Sequence, residues 1–140
     1  MMIIQNTLTK YLLKITLKFK EECLIRKKVK FNGKQYNIGV YTYHNGRIRL
    51  KYENKTESHD ITINLEDSYI DDGKVFLDPF ILKNGFIHVL KKYRIIREIT
   101  GMGFYNYIEV PIAKLNMGKL REFDSFGVKK HLEERTDVYR

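Results

Sequence analysis

Apolar and polar residues alternate most regularly in one stretch before the middle of the chain. Residues 29–31, 35–43 and 47–52 follow the two-residue period of a β-strand, in which every second side chain faces the core. Asn32-Gly33 separates the first two runs and His44-Asn45-Gly46 separates the last two, and both are typical hairpin loops. The pattern predicts a three-stranded antiparallel meander.

The register at the second turn follows from which residues it would bury. A two-residue loop would pair Val40 with Lys51 and so place core and charge on one face. A three-residue loop, with Gly46 in the left-handed conformation, pairs Val40 with Leu50 and places Tyr41 opposite an arginine, Arg49. We therefore predict the three-residue loop.

This register gives the sheet an inward and an outward face. Across the Asn32-Gly33 loop, Val29 pairs with Tyr36, which is consistent with one buried side. The inward face comprises Val29, Phe31, Tyr36, Ile38, Val40, Ile48, Leu50 and Tyr52. The outward face comprises Lys28, Lys30, Gln35, Asn37, Tyr41, Tyr43, Arg47, Arg49 and Lys51, without a carboxylate.

The pattern after the meander predicts shorter elements. Residues 61–65 are expected to add a fourth strand, with Ile61, Ile63 and Leu65 inward and Thr62 and Asn64 outward. A strand over residues 74–77 precedes Asp78-Pro79, a helix N-cap followed by proline at the first helical position. Either this helix ends at Asn84-Gly85 or it continues through His88 to Tyr93.

A hairpin and a last helix complete the prediction. Residues 94–100 and 104–110 alternate as strands around Gly101-Met102-Gly103, which we expect to form a tight turn, and Pro111 closes the second strand. Asp124 is expected to begin a helix that ends near Arg135.

The predicted fold is a single α+β domain over residues 1–140, with an antiparallel sheet of four or more strands and a few flanking helices. Residues 28–122 form its core and residues 124–135 its C-terminal helix. Residues 1–25 fit both a helical stripe and a strand alternation, and the sequence leaves both possibilities open. Lysines interrupt the apolar runs of this segment, so we expect no signal peptide, no membrane span and a cytoplasmic protein.

Charge is distributed unevenly along the chain, whose net charge is +9. Residues 1–52 hold 12 Lys and Arg against two Asp and Glu, whereas residues 53–78 hold two against eight. A positive region of this kind attracts nucleic acid, anionic lipid or acidic protein surfaces. The remaining possibility is that the charge serves solubility alone.

The sequence offers little catalytic chemistry. Cys23 is the only cysteine, and the four histidines lack metal-ligand spacing, so we expect no metal and no cofactor. Glu66, Asp67, Asp71 and Asp72 form an acidic cluster whose spacing does not match a calcium loop. We therefore expect a protein that is not an enzyme.

The outward face of the meander is the candidate binding site. Tyrosine rings and basic side chains together resemble the platforms that bind single-stranded nucleic acid, and the same residue types anchor protein interfaces. The alternative is an ordinary solvated face. The candidate partner-binding residues are Lys28, Lys30, Tyr41, Tyr43, Arg47, Arg49 and Lys51. If these side chains are free, reversing the charge of Arg47 and Arg49 changes stability little.

Several short motifs resemble a family of small uncharacterised proteins from phages and conjugative elements of low-GC bacteria. The resemblance spans about residues 28–124 and lies in Phe31-Asn32-Gly33-Lys34-Gln35-Tyr36, Tyr43-His44-Asn45-Gly46-Arg47-Ile48, Asn64-Leu65, Val75-Phe76-Leu77-Asp78 and Asn84-Gly85. It implies a similar fold and a mobile-element origin. The chain departs from the family in its N-terminal segment and in the basic residues 88–97.

This resemblance implies a protein acting inside a bacterial host. We expect a non-enzymatic, anti-CRISPR-like inhibitor that binds a host defence protein or its RNA or single-stranded DNA. The alternative is a nucleic-acid-binding accessory protein of the element itself, and a metal-dependent nuclease that uses the acidic cluster is a distant third. Nothing in the sequence predicts the oligomeric state.

Overall fold

Two antiparallel sheets and three helices make up the part of the chain that the computed structural model describes, residues 26–138. This architecture confirms the predicted α+β class. The helix or strand considered for residues 1–25, and Cys23 with it, lie outside the described residues.

The first sheet contains the predicted meander. Its strands are β1 (Lys28–Phe31), β2 (Lys34–Thr42), β3 (Ile48–Glu53) and β4 (Ser58–Asp60), in that spatial order. The predicted register is confirmed at both turns, since Val29 lies opposite Tyr36 and Val40 opposite Leu50. Gly46 has a φ of 87°, and the N–H of Tyr43 donates a hydrogen bond to Arg47 O at 2.8 Å. The three-residue loop is therefore confirmed.

The inward face of the meander is also confirmed. Seven of its eight predicted side chains are buried, and Phe31 is half-buried. The rings of Tyr52 and Phe86 stack with their centroids 3.8 Å apart, and Phe31 meets Phe86 edge to face. The core lies between this face, the helices and the second sheet.

The predicted fourth strand over residues 61–65 is wrong. The first sheet ends with β4, and the chain then crosses to the second sheet, where β5 (Thr62–Ile63) begins. Ile61 and Leu65 are buried as expected, but Thr62 is buried too, with only 2% of its surface exposed. Its hydroxyl accepts a hydrogen bond from the Leu50 N–H at 3.1 Å, which satisfies a polar group in the core.

The second sheet has the spatial order β5, β6 (Lys74–Leu77), β8 (Ile108–Leu115) and β7 (Ile96–Tyr105). Two short helices, α1 (Phe80–Asn84) and α2 (Phe86–Lys92), connect β6 to β7. Asp78 Oδ1 accepts the N–H of Phe80 just ahead of α1. Gly85, with a φ of 86°, ends α1, and the chain becomes helical again at once, so both alternatives for this region were partly right.

The predicted turn at Gly101-Met102-Gly103 is wrong. These residues lie inside β7, and the turn is at Asn106 and Tyr107, which both have positive φ as a two-residue hairpin loop requires. A Cβ at Gly103 would lie 2.9 Å from the ring of Phe76, so this glycine serves close packing instead of a turn. Strand β8 also continues through Pro111, which was expected to end it.

The last helix, α3 (Met117–Val138), starts earlier than predicted. Its backbone is interrupted at Asp124, whose Oδ1 accepts the N–H of Gly127 at 3.0 Å and so begins the second half, as the sequence indicated. Asp124 Oδ2 accepts the N–H of Val40 at 2.9 Å, and the Arg26 guanidinium donates to Ile38 O. Helix α3 thereby covers the edge of β2 that β1 leaves open.

Candidate functional site

Arg47, from the candidate binding face, is engaged inside the protein. Its guanidinium donates from Nη1 to Leu65 O at 2.7 Å and from Nη2 to Ser68 O at 2.6 Å. The side chain is half-buried and holds the loop that follows β5. Arg47 therefore acts as a structural clamp that joins the second turn to this loop. Because these contacts would be lost, we no longer expect reversal of the Arg47 charge to leave stability nearly unchanged.

Arg49 and Tyr43 also have partners within the chain. Arg49 Nη2 lies 3.0 Å from Asp60 Oδ1, and the guanidinium carbon lies 5.5 Å from the centre of the Tyr43 ring. The Tyr43 hydroxyl is 2.9 Å from Thr62 Oγ1, and burial raises the pKa of Tyr43. Lys51 Nζ donates to Ser58 Oγ at 3.3 Å.

The outward face also carries carboxylates, contrary to expectation. Strand β3 extends to Glu53, which lies opposite Asn37, and β4 brings Asp60 opposite Lys51. The Tyr41 hydroxyl donates to Glu53, and burial followed by this contact raises the pKa of Tyr41 to about 12. The face therefore carries both signs of charge, and most of its polar groups are paired.

Lys28 and Lys30 lie at the β1 edge of the outward face, opposite Asn37 and Gln35. Both are exposed on β1 because Val29 between them points into the core. The N–H of Lys30 donates to the Tyr93 hydroxyl at 3.3 Å, which joins β1 to the end of α2. Lys92 Nζ lies 5.8 Å from the centre of the Tyr93 ring. The edge of β1 and the basic C-terminal end of α2 therefore meet at Tyr93.

We call this surface the basic patch. It consists of six exposed cations, Lys27, Lys28, Lys30, Lys91, Lys92 and Arg94. Lys27 joins it because its Nζ lies 5.4 Å from the ring of Phe123, which itself packs against Tyr93. None of the six forms an ion pair with any of residues 26–135, whose side chains the structure describes.

The patch arises because the fold joins two segments that lack carboxylates. Residues 23–52 and 79–97 contain no Asp or Glu. The one carboxylate found to interact with the patch is Glu122, which lies 3.0 Å from Lys119 Nζ. Lys119, and to a lesser degree Lys27, lower the pKa of Glu122. Among the residues whose side chains the structure describes, 26–135, the carboxylate that interacts with the patch is thus Glu122, which already has a partner.

A cavity of about 490 Å³ lies between the loop of residues 44–47, the loop of residues 69–74 and the second half of α3. His131 lines it and is 4% exposed, with Nδ1 2.7 Å from Thr42 Oγ1; burial lowers the pKa of His131. Lys74 pairs with Asp71 and Arg135 with Asp72, whereas Arg47 on the same walls is bonded to backbone carbonyls.

The acidic cluster is likewise dispersed among separate partners. Glu66 Oε1 lies 2.9 Å from His44 Nε2, whereas Asp71 and Asp72 pair with the cations of the cavity walls. Among the side chains that the structure describes, those of residues 26–135, no three of His, Cys, Asp or Glu are grouped in a way that could hold a metal ion.

Sequence reasoning missed Lys91, Lys92 and Arg94 as site residues. The sequence does show a cluster of basic residues at 88–97, but only the contact between Tyr93 and β1 places them beside Lys28 and Lys30.

Comparisons with known proteins leave the interpretation to the structure. No family model matches the chain, and neither the curated proteins nor the solved structures gave a match. Among the helices of the described region, none combines the length and the apolar character needed to cross a membrane.

Proposed function

We propose that this chain is a non-enzymatic binding protein of a phage or other mobile element, and that it inhibits a host defence effector that handles nucleic acid. The basic patch carries the proposal. Six exposed cations without ion pairs in the described region form a surface suited to a polyanion, either nucleic acid or an acidic protein face.

The chemistry of the patch favours contact with phosphates over the reading of bases. Five of its six cations are lysines, which act as point charges without the planar fork that recognises base edges. Tyr93 is half-buried, and its hydroxyl is occupied by the Lys30 N–H, so its ring is a poor stacking platform. Binding should therefore depend strongly on salt and little on base sequence.

An inhibitor of this type occupies the path of a guide RNA or target strand, or blocks an acidic surface of the effector. A protein of net charge +9 does not mimic DNA, because a mimic needs an acidic surface. The resemblance to mobile-element proteins supports a target in the bacterial host.

The second candidate is an accessory protein that binds the element's own DNA or RNA, and the same patch favours it. The two functions differ in what accompanies the protein in the cell: a defence effector in the first case, nucleic acid alone in the second.

The patch is tested by fluorescence anisotropy with a labelled RNA strand and a DNA duplex of about 30 nucleotides. Six phosphate contacts predict that log K falls with log salt with a slope of about −5 on duplex DNA. The variant K28E/K30E/K92E should bind at least about tenfold more weakly, with a slope reduced by about three.

The matched control is K55E/K83E/K129E, which changes the net charge equally at three other exposed lysines. If the control loses as much affinity as the patch variant, net charge alone attracts the polyanion. If the wild-type chain binds neither probe at about 50 mM salt, nucleic acid is not its ligand.

The inhibitor function is tested in a bacterium with an active defence system. Expression of the wild-type chain should raise the plating efficiency of a targeted phage, and K28E/K30E/K92E should abolish this gain whereas the control variant retains it. No gain with the wild-type chain would exclude inhibition of that system and favour the accessory function if the chain still binds nucleic acid.

A further inference from the structure

The hairpin formed by β7 and β8 extends beyond the rest of the second sheet. Strand β6 pairs with β8 only from Lys74 to Phe76, opposite residues 112–114. Beyond that point β7 and β8 pair only with each other, up to the turn at Asn106 and Tyr107. This two-stranded ribbon exposes six large apolar side chains, Ile99, Met102, Phe104, Tyr105, Tyr107 and Ile108.

The exposure of these side chains is extensive. Phe104 is 67% exposed and Tyr107 is fully exposed. Taking roughly 200 Å² for each side chain when fully exposed, the six present about 700 Å² of mostly apolar surface. That area is close to the ~800 Å² that each partner contributes to a stable protein interface.

Strand β7 is also an open sheet edge. Other edges in the described region are protected: α3 covers β2, lysines and Tyr93 flank β1, and β4 and β5 have only three and two residues. Strand β7 contains neither Pro nor Lys, the residues that commonly block edge pairing, but its register with β8 shifts between Ile96 and Glu98 and again between Ile99 and Gly101. From Gly101 to Tyr105 the register is regular, and there its outer row of backbone N–H and C=O groups is suited to another strand.

The ribbon carries few charges. It is therefore better suited to bind a second copy of this chain than most other surfaces of the molecule are. Residues 98–113 carry Glu98 and Glu109 but no Lys or Arg, although the chain has 26 of them. The only charges within β7 are Arg97 and Glu98, both near its start. If residues 101–105 of two copies pair antiparallel about a two-fold axis, only uncharged residues lie opposite one another, so no like charges meet.

From these observations we infer that two copies of this chain associate through β7. The two β7 strands pair antiparallel about a two-fold axis and join the two four-stranded sheets, as an isologous interface requires. The six exposed side chains of each copy set an upper limit of about 1,400 Å² on the apolar area that such a dimer buries, and this limit is within the range of standard interfaces.

Dimerisation would place two basic patches on one particle. A polyanion long enough to reach both patches would bind with higher apparent affinity than a short one, without any new contact. This consequence is separate from the dimer itself, which does not depend on the proposed function.

The test is sedimentation velocity of the full chain over concentrations from about 1 to 100 μM. We expect a reversible monomer–dimer equilibrium for the wild-type chain. The variant F104D/Y107D should raise the dimer Kd at least about tenfold, because truncated interface anchors commonly cost that much. Aspartate is tolerated at residue 107, where φ is 67°.

The matched control is F80D/L82D, which adds the same charge at two exposed apolar residues of α1 and should leave the Kd unchanged. Circular dichroism checks that each variant is folded. If F104D/Y107D does not fold, M102K provides the same test at the strand edge, because lysine there opposes strand pairing.

Two results would overturn the inference. If the wild-type chain remains monomeric at all concentrations, the ribbon binds a different protein and not a second copy. If that monomer floats with phosphatidylcholine vesicles, the ribbon binds a lipid surface. A dimer that resists both F104D/Y107D and M102K uses another face. Neither result affects the binding test of the basic patch, which is measured with separate variants.

Discussion

Replacement of Arg47 by methionine should destabilise the protein markedly, although the residue lies on the outer side of the sheet. Arg47→Met keeps the aliphatic stem and removes the two hydrogen bonds to Leu65 O and Ser68 O. A hydrogen bond from a charged donor contributes about 1.5–3 kcal/mol when it is sheltered. Because the site is half-buried and water can replace part of both bonds, we expect a total loss of about 2–3 kcal/mol.

The neighbouring Arg49 provides the comparison. Its pair with Asp60 is exposed, with 38% and 43% of the two side chains accessible to solvent. Exposed ion pairs contribute about 0.2–1 kcal/mol, so Arg49→Met should cost less than 1 kcal/mol. Arg47→Lys should give an intermediate loss, because a single ammonium group replaces the two-pronged guanidinium.

Urea denaturation followed by circular dichroism measures these differences as shifts of the unfolding midpoint at constant slope. A loss below about 0.5 kcal/mol for Arg47→Met would refute the clamp, since that is the usual range for exposed substitutions. If Arg49→Met lowers the free energy of unfolding as much as Arg47→Met does, the two hydrogen bonds of Arg47 to backbone carbonyls do not explain a difference between the two arginines.

Three other predictions concern packing and pH. Gly127→Ala should lower the free energy of unfolding by at least about 2 kcal/mol in urea titrations, because its Cβ would lie 2.7 Å from Val40 O. The hydrogen bond to Glu57 and burial raise the pKa of Tyr36 from 10.0 to about 12, so stability should fall between these pH values, and Tyr36→Phe should reduce the fall in thermal melts. Burial lowers the pKa of His131, so stability should fall as the pH drops below 6.5, and His131→Gln should make that acid-side slope shallower.

The meander was predictable because its determinants are local. The alternation of side chains and the glycines of the two turns specify the same register, and one misplaced residue would have turned charged side chains into the core. The positive φ of Gly46 and the pairing of Val40 with Leu50 agree with this reasoning.

The second hairpin was mispredicted because a glycine has more than one structural use. Gly103 was taken as part of a turn, whereas it makes room for the ring of Phe76 on a neighbouring part of the sheet. The true turn contains Tyr107, a residue that seldom adopts positive φ, so no turn motif marks it. The contact of Gly103 with Phe76 joins residues distant in sequence, and a local pattern contains no information about it.

The partners of the candidate site residues could not be predicted, because alternation shows which side of a sheet a residue faces but not what that residue meets there. Arg49 pairs with Asp60 of β4, and Arg47 bonds to the carbonyls of residues 65 and 68, beyond the crossing to the second sheet. Glu53 was overlooked because β3 ends one residue later than the alternation indicated.

The position of the acidic segment in the fold determines which cations of the chain form ion pairs. Residues 53–78 hold most of the carboxylates before the last helix, and three of these carboxylates have partners that lie away from β1: Asp60 pairs with Arg49, Asp71 with Lys74 and Asp72 with Arg135. The hydrogen bond between Lys30 N and Tyr93 places α2 against β1, the strand at the opposite edge of that sheet from β4. The cations at this edge therefore form no ion pair with residues 26–135 and remain a positive surface, because neutralisation of charge is a short-range effect in salt solution.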